Sequence, residues 1–243
     1  MFFEDKKVNT EEFIMALILS IETSAPICSV SLHDEGKLKG ISEVAVENSH
    51  SEVLTVLIDN LLKNTFVKKS DLDAVAVSMG PGSYTGLRIG LSTAKGLCYA
   101  LEIPLLAIDT LKAMASQVQT HYSSSADVLF CPMLDARRME VYHAIYDQNL
   151  NEIQKTEPLI FEEGVLNGYR DKKLLYFGNG AEKGQEVLNE PNFKFIEGVE
   201  TSALAMGKLA YQKFQNQEFE DVAYCEPFYL KDVRITVSKK KYL

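Results

Sequence analysis

The groups best suited to chemistry gather around one glycine turn, Gly80-Pro81-Gly82, which separates a β-branched run from a long helical pattern. Backbone N–H groups and the helix dipole converge at such a turn, so the pattern predicts a site that could receive an anion. The turn is not a P-loop, because no Gly-Lys-Ser/Thr follows it and no lysine lies near enough to clamp a phosphate. It is not a nucleophile elbow either, because Ser83 follows Gly82 directly and the Gly-x-Ser-x-Gly frame is missing.

A second polar turn, Glu22-Thr23-Ser24, follows the first predicted strand and could orient a phosphate or its metal ion. The alternative is an ordinary β-turn held by local Ser and Thr hydrogen bonds, and the missing lysine clamp favours that alternative. The residues we assign to a possible nucleotide or phosphate contact are Glu22, Thr23, Ser24, Gly80, Gly82 and Ser83.

Cysteine and histidine are scattered along the chain. It has four of each, without a C-x-x-C pair and without two histidines at metal-ligand spacing. The cysteines therefore predict buried free thiols, and we expect no zinc site built from local sequence. His50 could act as a general base, but a solvent-facing histidine in the first turn of a helix is the simpler expectation.

Composition narrows the function classes. The 243 residues include 25 Lys and Arg against 34 Asp and Glu, a net charge of −9 with a pI near 5.1. Such a chain is a poor unaided ligand for nucleic acid. No apolar run reaches the roughly 18 residues of a membrane span, and a cytoplasmic location is expected. Residues 1–14 are acidic and polar; we interpret them as a flexible extension, and Met15 could be the true start.

A helix predicted at about 84–101 has very little polar surface. A column of small side chains runs along it, and only a stripe of roughly 60° is polar. Glycine inside a helix costs about 1 kcal/mol relative to alanine, so close approach of another backbone is the expected reason for the column. The alternative is a central helix buried inside its own domain. The members of the column are Gly86, Gly90, Ala94 and Cys98.

The preceding helix, predicted at 49–63, begins with a capping box formed by Ser49 and Glu52. Its apolar residues cover roughly 240° of the helical circumference, whereas packing on one core needs little more than about 100°. Two adjacent helices with surplus apolar surface predict a shared protein–protein interface. The interface residues we expect are Val53, Val56, Leu57, Asn60, Leu61, Tyr84, Gly86, Leu87, Arg88, Gly90, Leu91 and Ala94.

The order of elements predicts a duplication. Residues 15–122 read β-β-β-α-β-α-β-α, and residues 123–243 partly repeat this order. We expect an α/β protein with a duplicated actin-like, ribonuclease H-like fold (the ASKHA superfamily), with two subdomains, 15–122 and 123–243, and a cleft between them. For the second half the predicted strands are 128–134, 140–146, 156–161 and 173–177, and the predicted helices 162–168, 181–188 and 201–215.

Several segments resemble the TsaB (YeaZ) family of bacterial tRNA threonylcarbamoyladenosine synthesis. The most specific are NSHSEVL at 48–54 and GPGSYTGLRIGLSTAKGLCYALEIPLLAIDTL at 80–111. Further matches are LILSIETSAPICSVSL at 17–32, MLDARRMEVYHAIY at 133–146 and EPFYLKD at 226–232. The catalytic paralogue TsaD carries two metal-binding histidines after the corresponding proline strand. Aligned on Pro104, this chain has Thr110 and Met114 there, which cannot replace an imidazole pair.

The resemblance implies a non-catalytic scaffold subunit that pairs with TsaD, acts together with TsaE and reaches tRNA only through their complex. It also implies that the first two helices contact TsaD and can form a homodimer. The chain would have no cofactor of its own, with ATP or ADP at the complex interface. Glu22, often Asp in the superfamily, and Lys231, usually Arg in the family, depart from the pattern. A small-molecule kinase and a peptidase are the alternatives, but we can assign neither a cleft base nor a nucleophile–base pair.

Overall fold

The computed structural model describes residues 15–45, 50–122 and 127–230. The first half is built around one five-stranded sheet. Its strands are β1 (Leu17–Glu22), β2 (Ile27–Asp34), β3 (Lys37–Ala45), β4 (Ala74–Ser78) and β5 (Leu105–Ile108). Its helices are α1 (His50–Asn64), α2 (Tyr84–Leu101) and α3 (Thr110–Tyr122).

The second half contains a second five-stranded sheet and one α-helix among its described residues. The strands are β6 (Val128–Asp135), β7 (Glu140–Tyr146), β8 (Glu152–Ile160), β9 (Lys173–Phe177) and β10 (Phe193–Ile196). The helix is α4 (Gly207–Gln215), which directly follows a 3-10 turn at Ala203–Met206.

The two sheets have the same topology. Their strand orders are β3-β2-β1-β4-β5 and β8-β7-β6-β9-β10, with the first three strands antiparallel and the last two parallel to the central strand. The turn after the fourth strand begins in each half with a glycine at positive φ, Gly80 at 110° and Gly178 at 107°. The repeated order confirms the predicted α/β, duplicated actin-like fold.

Helices cover both faces of the first sheet, which explains the unbroken apolar runs in its central strands. Leu19 and Val75 point towards α1 and α2, while Ile18 and Ala76 point towards α4 on the opposite face. The last helices exchange partners between the halves, because α3 packs mainly on the second sheet and α4 on the first. The element order therefore begins to repeat after residue 122, but each half contributes one helix that packs on the sheet of the other half.

Several boundaries predicted for the second half are wrong. No α-helix forms at 162–168 or 181–188, where only 3-10 turns at Asn167–Tyr169 and Glu182–Gly184 are present. A Cβ on Gly184 would meet the Phe161 ring, so this segment packs closely against the residue that follows β8. The helix predicted at 201–215 begins as a 3-10 turn, β8 starts four residues early, and β10 was not predicted. The predicted cap residue Ser49 lies outside the described residues.

Candidate functional site

The turn between β1 and β2 packs directly against the first two turns of α2. The Thr23 hydroxyl donates a 2.8 Å hydrogen bond to the Gly86 carbonyl oxygen, and the Ser83 N–H donates a 2.6 Å bond to the Ser24 carbonyl oxygen. A Cβ added to Gly86 would lie well under 3.0 Å from the Thr23 carbonyl oxygen. The backbone that approaches α2 thus belongs to the same domain.

This contact corrects the interpretation of the small-residue column. A Cβ on Gly90 would collide with the Thr23 side chain, so the two glycines of the column admit the chain's own turn. The alternative of a helix buried in its own domain is the one that applies to this side of α2. Seven of the predicted interface residues are buried within the chain: Leu57, Leu61, Gly86, Leu87, Gly90, Leu91 and Ala94. Their contact with a partner stays a prediction. A Gly86→Arg or Gly90→Arg change cannot leave the domain undisturbed, because even a Cβ at either position meets Thr23.

Glu22 is completely buried at the end of β1. One oxygen of its carboxyl accepts hydrogen bonds from the Ser24 N–H at 2.6 Å and the Ser78 hydroxyl at 3.0 Å. Burial raises the pKa of Glu22, while the hydrogen bonds from Ser24 and Ser78 oppose that shift. The carboxyl therefore serves to hold the turn that packs against α2.

The six residues assigned to a nucleotide or phosphate contact do lie together, at the end of the first sheet. Most of their polar groups bind one another: the Ser83 hydroxyl caps α2 by accepting from the Gly86 N–H, and Gly82 faces the Ser24 backbone. The Ser24 hydroxyl is buried without a partner in the described structure. An anion at this helix end would have to compete with the side-chain cap and the bound turn.

The positions that correspond to the metal-binding histidines of TsaD lie at the start of α3. Thr110 is fully buried, and Met114 packs in the core beneath the second sheet. The neighbouring Asp109 caps α3 by accepting a bond from the Lys112 N–H at 2.6 Å, and Tyr146 donates to the same oxygen at 3.2 Å. Within the three described ranges, no three His, Cys, Asp or Glu side chains are placed to hold a metal ion.

The outer face of α1 and α2 remains accessible. Val56 is 54% exposed, Asn60 and Arg88 are exposed, and Val53 and Tyr84 are half-buried. A shallow depression of about 520 Å³ lies along α2, next to the start of α1. It is lined by Ser51, Tyr84, Thr85, Arg88, Ile89, Ser92 and Thr93. Five of the twelve predicted interface residues are thus available for a contact with another protein.

The C-terminal strap, which we define as residues 217–230, runs back along α2. Its Phe228 N–H donates a 2.7 Å bond to the Met79 carbonyl oxygen, and the Lys95 ammonium donates to the Ala223 carbonyl at 3.2 Å. The matching segment EPFYLKD lies mostly within it, but sequence analysis assigned it no role. No local signal could have done so, because Tyr229 contacts a residue 141 positions away.

His50 does not face solvent as expected. Its imidazole is buried, and Nε2 lies 2.9 Å from the Ala25 carbonyl oxygen. The side chain ties the start of α1 to the turn between β1 and β2. Over the part of the chain that the structure describes, none of the helices is both long and apolar enough to cross a membrane.

Known proteins match this chain over most of its length. The family model for TsaD, tRNA N6-adenosine threonylcarbamoyltransferase, matches residues 29–239. The tRNA threonylcarbamoyladenosine biosynthesis protein TsaB of Escherichia coli (strain K12) is 28% identical over 222 residues, covering 88% of this chain and 94% of that protein. TsaB of Buchnera aphidicola subsp. Acyrthosiphon pisum is 33% identical over 188 residues, covering 74% and 83%.

The solved structure of YeaZ from Pseudomonas aeruginosa superposes on this chain with a TM-score of 0.78 at 26% identity, covering 89% of this chain and all of that one. Another solved structure, of a Pseudomonas aeruginosa protein described as similar to peptidase YeaZ, gives the same TM-score at 25% identity. The matches extend over both halves of the duplicated fold. The chain therefore belongs to the TsaD-like proteins and, among them, to the TsaB (YeaZ) family.

Proposed function

We propose that this protein is a non-catalytic scaffold subunit in tRNA threonylcarbamoyladenosine biosynthesis. It binds TsaD directly, works with TsaD and TsaE as a complex in the cytoplasm, and meets tRNA only within that complex. The names of its TsaB relatives support the pathway. The net charge of −9 supports a partner as the main source of tRNA affinity.

The observation that carries the proposal is the accessible face of α1 and α2. On α1 it has an exposed valine, and on α2 an exposed arginine and a half-buried tyrosine line a shallow depression. Tyr and Arg are enriched among the residues that dominate interface energies, and apolar surface contributes about 25 cal/mol per Å² when buried. The contact would be made by Val53, Val56, Asn60, Tyr84 and Arg88.

The residues at the start of α3 support a non-catalytic role for this chain. Buried Thr110 and core-packed Met114 occupy the positions at which TsaD carries its histidine pair. The chain would act by fixing an active conformation of its partner, with the metal and the reaction on the TsaD side. An ATP or ADP molecule, if required, would lie at the interface between the two proteins.

The experiment is a pairing assay between this chain and TsaD of the same organism, with two matched variants. Val56→Asp places a charge on the accessible face, and Ile153→Asp places one on β8 of the other half, where Ile153 is 51% exposed. We expect Val56→Asp to weaken pairing by at least about 10-fold, because burying an unpaired charge costs more than about 1.4 kcal/mol. Ile153→Asp should pair normally.

Loss of pairing in both variants, or in neither, would remove this face from the proposal. Size measurements on the unmixed chain should accompany the assay, because the same face could form a homodimer. The alternatives are tested on the same samples: a kinase or a peptidase would show ATP turnover or proteolysis by the isolated chain.

A further inference from the structure

The guanidinium group of Arg88 lies against two aromatic rings, one on its own helix and one on the C-terminal strap. Its central carbon lies 4.1 Å from the centroid of the Tyr84 ring, one turn earlier on α2, and 5.9 Å from that of Tyr229 on the C-terminal strap. The two ring centroids are 5.0 Å apart. Arg88 Nε also donates a 3.1 Å hydrogen bond to the Tyr229 hydroxyl.

The strap residue that makes this contact is itself held in place. Immediately before it, the Phe228 N–H bonds to the Met79 carbonyl oxygen, and a Cβ on Gly80 would come within 2.7 Å of the Phe228 carbonyl oxygen. The start of the strap pairs with β5, where the Glu220 N–H donates to the Leu105 carbonyl at 2.9 Å. Tyr229 is therefore presented to Arg88 by backbone contacts at both ends of the strap.

The fixed position of the Arg88 side chain requires an explanation, because this side chain remains exposed to solvent. A free surface arginine gains little from one neutral hydrogen bond, and fixing its side chain costs up to about 2 kcal/mol of conformational entropy. The cost is useful where the arginine must bind in a single orientation. Among the described residues, no hydrogen bond engages the two terminal nitrogens, although the negative charge of Glu226 acts on the group. These two nitrogens can meet the two oxygens of a carboxylate.

We infer that Tyr229 is a positioning residue that preorganises Arg88 to bind a carboxylate on the partner protein. This inference rests on the proposed function, since it concerns the docking face of α1 and α2. It adds the C-terminal strap to that face, and it specifies the chemistry of the partner group. Preorganisation raises affinity by lowering the ordering cost at the moment of binding.

The test is a double-mutant cycle on pairing with TsaD, with Tyr229→Phe, Arg88→Ala and the double variant. Tyr229→Phe keeps the ring and removes only the hydroxyl, so the fold and the ring stack are preserved. We expect it to weaken pairing about 2- to 10-fold, the range of one hydrogen bond. In the Arg88→Ala background the same change should have an effect below about 2-fold. Tyr224→Phe is the matched control on the strap, because Tyr224 is 84% exposed.

Two further measurements separate positioning from a merely structural role. Arg88→Lys should behave like Arg88→Ala in pairing, because lysine cannot bind a carboxylate with two parallel hydrogen bonds. In the free protein, NMR of the Arg88 side-chain Hε should show protection from exchange that Tyr229→Phe abolishes, without a change in the unfolding midpoint.

The outcomes separate this inference from the proposed function. Equal effects of Tyr229→Phe with and without Arg88 would overturn the inference, as would an Arg88→Lys variant that pairs like the wild type. If Val56→Asp disrupts pairing while the Arg88 and Tyr229 variants pair normally, the inference fails and the docking face stands. If the wild-type chain does not pair with TsaD at all, both fail.

Discussion

Two glycines on the same helix should respond in opposite ways to substitution by alanine. A Cβ on Gly96 would have nothing within 4 Å, whereas a Cβ on Gly86 would enter the space of the Thr23 carbonyl oxygen, a backbone atom. Gly96→Ala should therefore show the intrinsic helix preference alone, a stabilisation of about 1 kcal/mol. Gly86→Ala gains the same term but must displace the turn between β1 and β2.

The cost of that displacement can be worked out from the contacts. Overpacking at a fixed neighbour costs about 1–3 kcal/mol. Moving the turn also weakens two hydrogen bonds, Thr23 hydroxyl to Gly86 carbonyl and Ser83 N–H to Ser24 carbonyl, each contributing about 1 kcal/mol. After the helix-preference gain is subtracted, Gly86→Ala should destabilise the protein by about 2–4 kcal/mol.

Urea unfolding followed by circular dichroism measures both variants on one scale. The expected gap between Gly96→Ala and Gly86→Ala is about 3 kcal/mol or more, visible as a shift of the midpoint at unchanged slope. Two variants with stabilities within about 0.5 kcal/mol of each other would refute the assignment of the small column to internal packing. In that case a partner protein, and not the chain's own turn, would again be the better explanation for the small residue at position 86.

Three further predictions concern two buried titratable side chains and the cap of α2. Burial raises the pKa of Glu22 above the ordinary glutamate value of 4.5, so the native protein keeps a proton that the unfolded chain loses. The free energy of unfolding of the wild type therefore falls as the pH rises above 4.5. Urea midpoints should show that Glu22→Gln removes this fall; a variant that keeps it would contradict the reasoning. Burial lowers the pKa of His33, so its contribution is present above 6.5 and lost as pH falls further. The wild type should lose more stability than His33→Gln between pH 7.5 and pH 5 in the same titration, and equal losses would count against it. Ser83→Ala should cost about 1 kcal/mol in urea unfolding, because the Gly86 N–H loses its cap.

The sequence reveals the architecture well, because the periodicities that define it are local. The repeated element order predicted the duplication that the two strand orders confirm. The short 3-10 segments of the second half could not be predicted, since one turn of helix leaves no periodic pattern. The close packing of Gly184 against Phe161 joins distant positions in the chain, which no local pattern reveals.

The candidate site was predictable only in part. The wheel of α2 identified which side must stay small, but it could not tell whether Thr23 or another protein fills the notch, because both require the same missing Cβ. The contact between Arg88 and Tyr229 could not be predicted from the sequence, because it joins side chains 141 residues apart. What remains for docking is the accessible side of α1 and α2, and the role of that side stays a prediction.

The most direct test of the central claim is a titration of this chain into a fixed amount of TsaD, with TsaE, ATP, threonylcarbamoyl donor and unmodified tRNA. A scaffold is needed in stoichiometric amounts, so modification should rise in proportion to the added chain and level off when it matches TsaD. Modification by this chain without TsaD, or full modification with only a trace of it, would contradict the account.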